Sequence, residues 1–280
     1  MATAKVNGID LAYELRGAGA PLVLAHGYTA SKEMYDAQLG PFAERYRVLV
    51  YDSRGHGESE ALPADDPGYH LDTYVEDQLA LMRHVGIEQA YVGGLSMGGM
   101  IALRFALAHP ELVRALLLCD TTAGMGTSGQ WAANHAAIET LVRSKGVAAV
   151  MRNLYAQRAG GGDRPRPQQI PAGVKAHIER LDQMSADGFL GAGRAAAEQD
   201  SVLDRLDEIE APTLIITGEQ DFFRDDSERM KERLPEARFV VIKGAAHGTC
   251  VWRPEAFTAT VLDFLADVEA GKPVAGREER

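Results

Sequence analysis

The sequence predicts an α/β fold: a mostly parallel, eight-stranded, doubly wound sheet with helices on both faces and an inserted helical cap. Three observations predict it. Short apolar runs bounded by turn residues alternate with helical patterns along most of the chain, the order expected of parallel strands joined by crossover helices. The runs are apolar at successive positions, as strands covered on both faces must be. The stretch from Thr121 to Arg205 breaks this rhythm, with helical spacing and no strand.

The elements follow in chain order. Ala4–Val6 and Ile9–Leu15 flank Asn7-Gly8, and Asn-Gly accepts the positive φ values of a tight hairpin. Leu22–Ala25 is a short strand that ends at His26-Gly27, and Tyr46–Tyr51 is another that ends at Asp52. Leu71, Val75, Leu79 and Met82 share a helix face, with a capping box expected at Thr73 and Glu76 and a stop at Gly86. Tyr91-Val92 leads into Gly93-Gly94, and Met97–His109 is apolar nearly all round, a buried helix stopped by Pro110. Val113–Cys119, Thr213–Thr217 and Phe239–Ile242 supply the remaining strands. Pro254 opens a last helix whose apolar face is Phe257, Val261, Phe264 and Val268. Helical spacing recurs at Ile138, Leu141 and Val142 and at Val174, Ile178 and Leu181, around a loop rich in Gly, Pro and Arg at Ala159–Pro171. Residues 1–120 and 206–280 therefore read as the core and 121–205 as the cap. The tail Gly271–Arg280 is polar and expected to fray.

Bulk properties narrow the partners. The 280 residues carry a formal net charge of -11, which disfavours nucleic acid and anionic membrane surfaces. No apolar run reaches bilayer-spanning length and no leader pattern opens the chain. Cys119 and Cys250 lack Cys-x-x-Cys spacing and read as buried thiols of a cytoplasmic protein. Gly191–Ala196 matches a dinucleotide fingerprint in letters alone, since no strand precedes it. No metal-ligand spacing and no phosphate-binding loop is present, so no metal or other cofactor is expected. The oligomeric state is not legible at this level.

The strongest chemical signal is Gly94-Leu95-Ser96-Met97-Gly98, between a strand and a buried helix. A sharp strand-to-helix turn needs small residues on both sides of its central serine, and it lifts the hydroxyl clear of the sheet. The Met97 N–H then sits at a helix N-terminus, where developing negative charge is favoured. A serine needs a base. Of eight histidines, His247 alone follows a late strand in a Gly-rich loop, Gly244–Gly248. The others on predicted helices, His70, His84, His109, His135 and His177, read as surface groups, and His26 as a brace of its loop. The base needs a carboxylate, and Asp221 follows the Thr213–Thr217 strand in Gly218-Glu219-Gln220-Asp221. Asp120, directly after Val113–Cys119, competes for that role. Tyr28, after His26-Gly27, is the second oxyanion donor through its backbone N–H. Met125, Trp131 and Met151 from the cap, with Tyr155, Met184 and Phe189 beside them, and Phe222 next to Asp221, are the expected substrate-pocket residues.

The set His26-Gly27, Asp52–Ser59, Gly94–Met100, Gly218–Asp221 and His247 resembles the α/β-hydrolase superfamily over nearly the whole chain, with the cap the weakest part. Within it, Gly94–Met100 and the run Gly188–Arg205 leading into Pro212-Thr213-Leu214 are similar to the 3-oxoadipate enol-lactonase and small carboxylesterase group. The resemblance implies that Asp52–Ser59 is a structural turn and that His56 is not catalytic. It implies a serine hydrolase of a small-molecule ester or lactone, acting through an acyl-enzyme on Ser96. Carbon–carbon bond hydrolases and cofactor-free haloperoxidases or perhydrolases share the same residue set, and small-molecule receptors share the pocket, so these alternatives stay open here.

Overall fold

A computed structural model of the chain describes residues 2–124, 128–160 and 171–280, with only the backbone described for 128–136 and 154–160. Among these residues one sheet holds the strands β1 (Ala2–Val6), β2 (Ile9–Arg16), β3 (Ala20–Ala25), β4 (Tyr46–Tyr51), β5 (Ala90–Leu95), β6 (Val113–Cys119), β7 (Thr213–Gly218), β8 (Arg238–Ile242) and β9 (Gly276–Glu279). Their spatial order is β1-β2-β4-β3-β5-β6-β7-β8-β9. β1 pairs antiparallel with β2, and β2 antiparallel with β4; every later pair is parallel. The β1–β2 hairpin turns on Asn7 and Gly8, at φ 47° and 84°, the positive pair that a tight primed turn demands.

The helices are α1 (Asp36–Ala43), α2 (Leu71–His84), α3 (Met97–Ala108), α4 (Ser128–Lys145), α5 (Val147–Gly160), α6 (Ala172–Arg180), α7 (Ala186–Ala197), α8 (Arg224–Arg233), α9 (Thr249–Trp252) and α10 (Pro254–Glu269). Successive strand residues enter opposite layers, as the two-residue period of a strand requires. Val23 and Ala25, Leu49 and Tyr51, Leu116 and Leu118, and Phe239 and Val241 pack on one face with residues of α2, α3 and α8. Leu22 and Leu24, Val48 and Val50, Ala115 and Leu117, and Val240 and Ile242 pack on the other with residues of α1 and α10. Between β6 and β7 the chain makes α4, α5, α6 and α7, and part of that segment has its own apolar cluster around Val142, Val147, Val150, Phe189 and Leu190.

Three expectations are corrected. The polar tail forms β9 rather than fraying, which gives the sheet a ninth strand beside the eight expected. Its charges find partners in the core: Arg280 meets Asp263 at 2.7 Å, Lys243 meets Glu279 at 2.8 Å, and Arg277 pairs with Glu228. A strand held by ion pairs along its rim carries no apolar period for a sequence pattern to detect. The cap of α2 is His70, whose ring accepts from the Asp72 N–H, and not the Thr73–Glu76 box. β5 runs through Gly93 and Gly94 rather than stopping before them, since both pair with β6 opposite Leu117 and Leu118; a Cβ at Gly93 would stand 2.6 Å from the Leu117 Cβ, so glycine suits the position.

The turn after β4 is built on buried charge. Arg54 grips Asp77 of α2 through two hydrogen bonds, 2.6 and 2.7 Å long, and Asn7 donates to the same carboxylate at 2.8 Å. Removing one partner of such a pair strands the other in a low-dielectric interior. Asp77→Ala is therefore expected to destabilise the protein by about 3–5 kcal/mol, measured by urea unfolding; a loss below about 1 kcal/mol, the range of an exposed pair, would contradict this account.

Candidate active site

Five loops leave the C-terminal ends of parallel strands at one edge of the sheet. They carry His26 after β3, Ser96 after β5, Asp120 after β6, Asp221 after β7 and His247 after β8. Strand register brings these ends level: Ala25 pairs with Gly94, Leu95 with Cys119, Cys119 with Ile216, and Gly218 with Ile242. Open α/β sheets collect ligands at this edge because the strand ends there leave a crevice between their loops.

Ser96 sits between β5 and α3 with φ 57° and ψ -117°, a region that L residues rarely occupy. Its N–H is held by the Cys119 carbonyl at 2.9 Å, and its carbonyl accepts from the Thr121 hydroxyl at 2.6 Å and from the Gly99 and Met100 N–H groups. These bonds fix the backbone around a residue that would otherwise relax. Met97 is the first residue of α3. On the facing loop, Thr29 next to Tyr28 has φ 67°, and the Tyr28 hydroxyl donates to the Phe189 carbonyl of α7 at 2.8 Å.

Asp221 and His247 meet through Oδ1 and Nδ1 at 2.9 Å. A carboxylate only accepts, so Nδ1 carries the hydrogen and Nε2 keeps its lone pair. Burial works to raise the Asp221 pKa, but the hydrogen bond and charge of His247, a bond with Asp120 and the Phe223 N–H hold it below the usual carboxylate range. The imidazole lies against Phe222, stacked at 4.2 Å between ring centroids, and edge-on to Phe223 at 5.7 Å. Asp120, the competing acid, is fully buried and instead accepts from Gly218 and Thr249.

His26 braces its loop: Nδ1–H donates to the Gly27 carbonyl at 2.8 Å and Nε2 accepts from the Ser53 N–H at 3.0 Å. Both ring nitrogens are thereby committed to the neutral form. His56 packs edge-on to it at 5.0 Å and bonds the Arg54 carbonyl. His177 departs from its expected surface setting: burial, then the charges of Arg180 and His247, push it down to about 4. His109 is half-buried against Phe105 rather than solvated.

The expected pocket residues are spread out. Met125 lies outside the described residues, and so do the side chains of Trp131 and Tyr155. Met151 packs against the cluster of the inserted helices, and Phe222 covers His247. A cavity of about 410 Å³ instead runs between α6 and the segment after Tyr28, walled by Thr29, Met34, Ala176, His177, Met184 and Val251. Only Met184 of these carried a sequence signal; the others reach the cavity by tertiary placement. Among the described residues no three His, Cys, Asp or Glu side chains form a group that would hold a metal ion, and no helix is long and apolar enough to cross a membrane.

Comparison with known proteins places these features in context. The family description "alpha/beta hydrolase fold" matches residues 20–254. A 3-oxoadipate enol-lactonase of Acinetobacter baylyi is 29% identical over 242 residues, 86% of each chain. A solved structure of a hydrolase from Pseudomonas aeruginosa is 31% identical, with a TM-score of 0.82 over 94% of this chain and 97% of that one. A thermophilic esterase from Thermogutta terrifontis is 28% identical, with a TM-score of 0.81 over 95% and 98%.

The buried histidines generate a pH dependence. Burial lowers His26 to about 4, and burial with the nearby charge of His26 lowers His56 to about 3. The unfolded chain then binds protons that the folded chain refuses, so stability falls as pH drops below the ordinary histidine value near 6.5. Urea midpoints are expected to decline steadily from pH 6.5 to 4.5; midpoints that stay level over this window would contradict neutral, buried rings.

Proposed function

The chain belongs to the alpha/beta hydrolase fold family, and from that premise we propose that it is a serine hydrolase that cleaves a carboxylic ester or lactone through an acyl-enzyme on Ser96. The observation that carries this reading is the 2.9 Å Asp221–His247 bond, at the same sheet edge as a serine held at positive φ on a strand-to-helix turn. The likeness to an enol-lactonase and an esterase supports the choice of acyl group.

The steps follow from these positions. His247 Nε2, the nitrogen with the lone pair, takes the Ser96 hydroxyl proton as Oγ attacks the carbonyl carbon. The oxyanion is held by the Met97 N–H at the start of α3 and by the Tyr28 N–H from the facing loop. The imidazolium, stabilised by the Asp221 carboxylate, protonates the leaving alkoxide, which for a lactone stays tethered to the acyl group. Water then gives its proton to His247 and attacks the acyl carbon, and as the acyl–Oγ bond breaks the imidazolium returns the proton to Ser96 Oγ and the acid departs. Neither step draws on a cofactor. The helices of residues 121–205 form the lid of this site, the Tyr28 bond to Phe189 ties them to the oxyanion loop, and the partner is a small molecule rather than nucleic acid or membrane in a cytoplasmic setting.

Turnover of short-chain p-nitrophenyl esters tests the reading. The wild-type protein is expected to hydrolyse them, Ser96→Ala to abolish turnover, and Asp221→Asn to lower kcat by about 10⁴-fold. A folded wild type with no turnover and no labelling by a serine-directed phosphonate would overturn it.

A further inference from the structure

One buried carboxyl group touches both loops that carry the proposed acid and base, yet no step of the reaction uses it. Asp120 is 0% exposed and adopts φ 45° directly after β6. Its own N–H is anchored to the Ile216 carbonyl of β7 at 2.8 Å. Oδ1 accepts from the Gly218 N–H at 3.0 Å. Oδ2 accepts from the Thr249 N–H and from the Thr249 hydroxyl, both at 2.7 Å. Gly218 opens the turn that closes on the Asp221 N–H at 3.1 Å. Thr249 begins α9, after His247 and Gly248, where Gly248 bends the chain at φ 91°.

We propose that Asp120 is a positioning residue for the site: its carboxyl group ties the Asp221 turn to the His247 loop and so fixes the spacing at which the two side chains meet. This inference rests on the serine-hydrolase reading above. The charge arrangement agrees with it. Burial, then the charge and hydrogen bond of Asp221, push the Asp120 pKa well above the carboxylate range, against the opposing pull of Thr249. Asp221 Oδ2 is buried with no N–H or alcohol donor among the described residues, and the Asp120 carboxyl is close enough to act on the Asp221 carboxylate. The opposed shifts, Asp120 upward and Asp221 downward, favour the pair's negative charge on Asp221, next to the imidazole. The other titratable groups around the pair stay neutral: burial raises Cys119, Cys250 and Tyr35 well above their ordinary values, and His177, near His247, is pushed down to about 4.

The test compares Asp120→Ala, Asp120→Asn and Thr249→Val with wild type on p-nitrophenyl acetate, with thermal unfolding and a pH profile of kcat/KM for each. Asp120→Ala removes every side-chain contact and is expected to lower kcat by about 100-fold. Asp120→Asn keeps an acceptor and a donor for Asp221 Oδ2 at the expense of one backbone bond, and is expected to recover all but about tenfold with the acidic limb of the profile unmoved. Thr249→Val, which folds with fewer losses, is expected to fall between them and wild type. Asp120→Ala within threefold of wild-type kcat would overturn the proposal. So would an acidic limb shifted down in Asp120→Asn, because Asp120 would then be a charged group. So would equal loss in Asp120→Ala and Asp120→Asn in step with their melting temperatures, the mark of a merely structural role. If the wild type itself fails to turn over, the parent reading falls instead.

Discussion

The site depends on how closely one helix backbone approaches one strand. A Cβ on Gly98 would overlap the Ala25 carbonyl, and a Cβ on Gly94 would overlap Gly98 itself. A Cβ on Gly99 would stand 2.6 Å from the Thr121 side chain. This contact lets α3 begin immediately after β5 with a single residue between them. That residue, Ser96, absorbs the whole change of direction, and its positive φ is the consequence. The strain is held by cooperative packing, because Ile101, Ala102, Leu103 and Phe105 of α3 are completely buried in the core. Burial of that much apolar surface, at about 25 cal/mol per Å², outweighs one strained residue at about 1–3 kcal/mol.

The remaining loops are fixed by the same means, through backbone bonds from strand end to strand end. Asp120 N–H to Ile216, Glu219 N–H to Ile242 and Gln220 N–H to Ala245 run across the edge. The loop after β3 is tied to the turn after β4, where buried Lys32 binds Asp52 at 2.9 Å and Glu58 at 2.9 Å, and its side-chain charge is compensated by those partners. Such a site loses little entropy when it binds substrate, because its reactive groups are already ordered.

The fold was legible wherever burial imposes a period. The parallel strands β3 to β8 and α2, α3 and α10 stand within a few residues of their expected bounds, because two-sided burial writes continuous apolar runs and one-sided burial writes a helical stripe. What escaped had no such period. α8 buries only Ser227 and Met230, α1 contains Pro41, and β9 is held by charge pairs rather than by apolar contact. The site was legible as loops at strand ends, because Gly-rich turns and a Ser, an Asp and a His in sequence mark them. The placement of Asp120 was not, since sequence position alone offers it as a rival to Asp221. Hydrogen-bond geometry separates the two: Asp221 reaches the imidazole, and Asp120 reaches the backbone of both loops. The cavity wall was equally hidden, because His177 and Val251 come together only through packing of α6 on α9.

The central claim is covalent: the acyl group passes through the hydroxyl of Ser96. Rapid acid quenching during p-nitrophenyl acetate turnover, followed by peptide mass spectrometry, reads it directly. The account predicts an acetyl increment on the peptide containing Ser96 that appears with the first turnover and decays as substrate is consumed. Steady turnover with that peptide unmodified, or with the increment on Cys119 or Cys250, would contradict it.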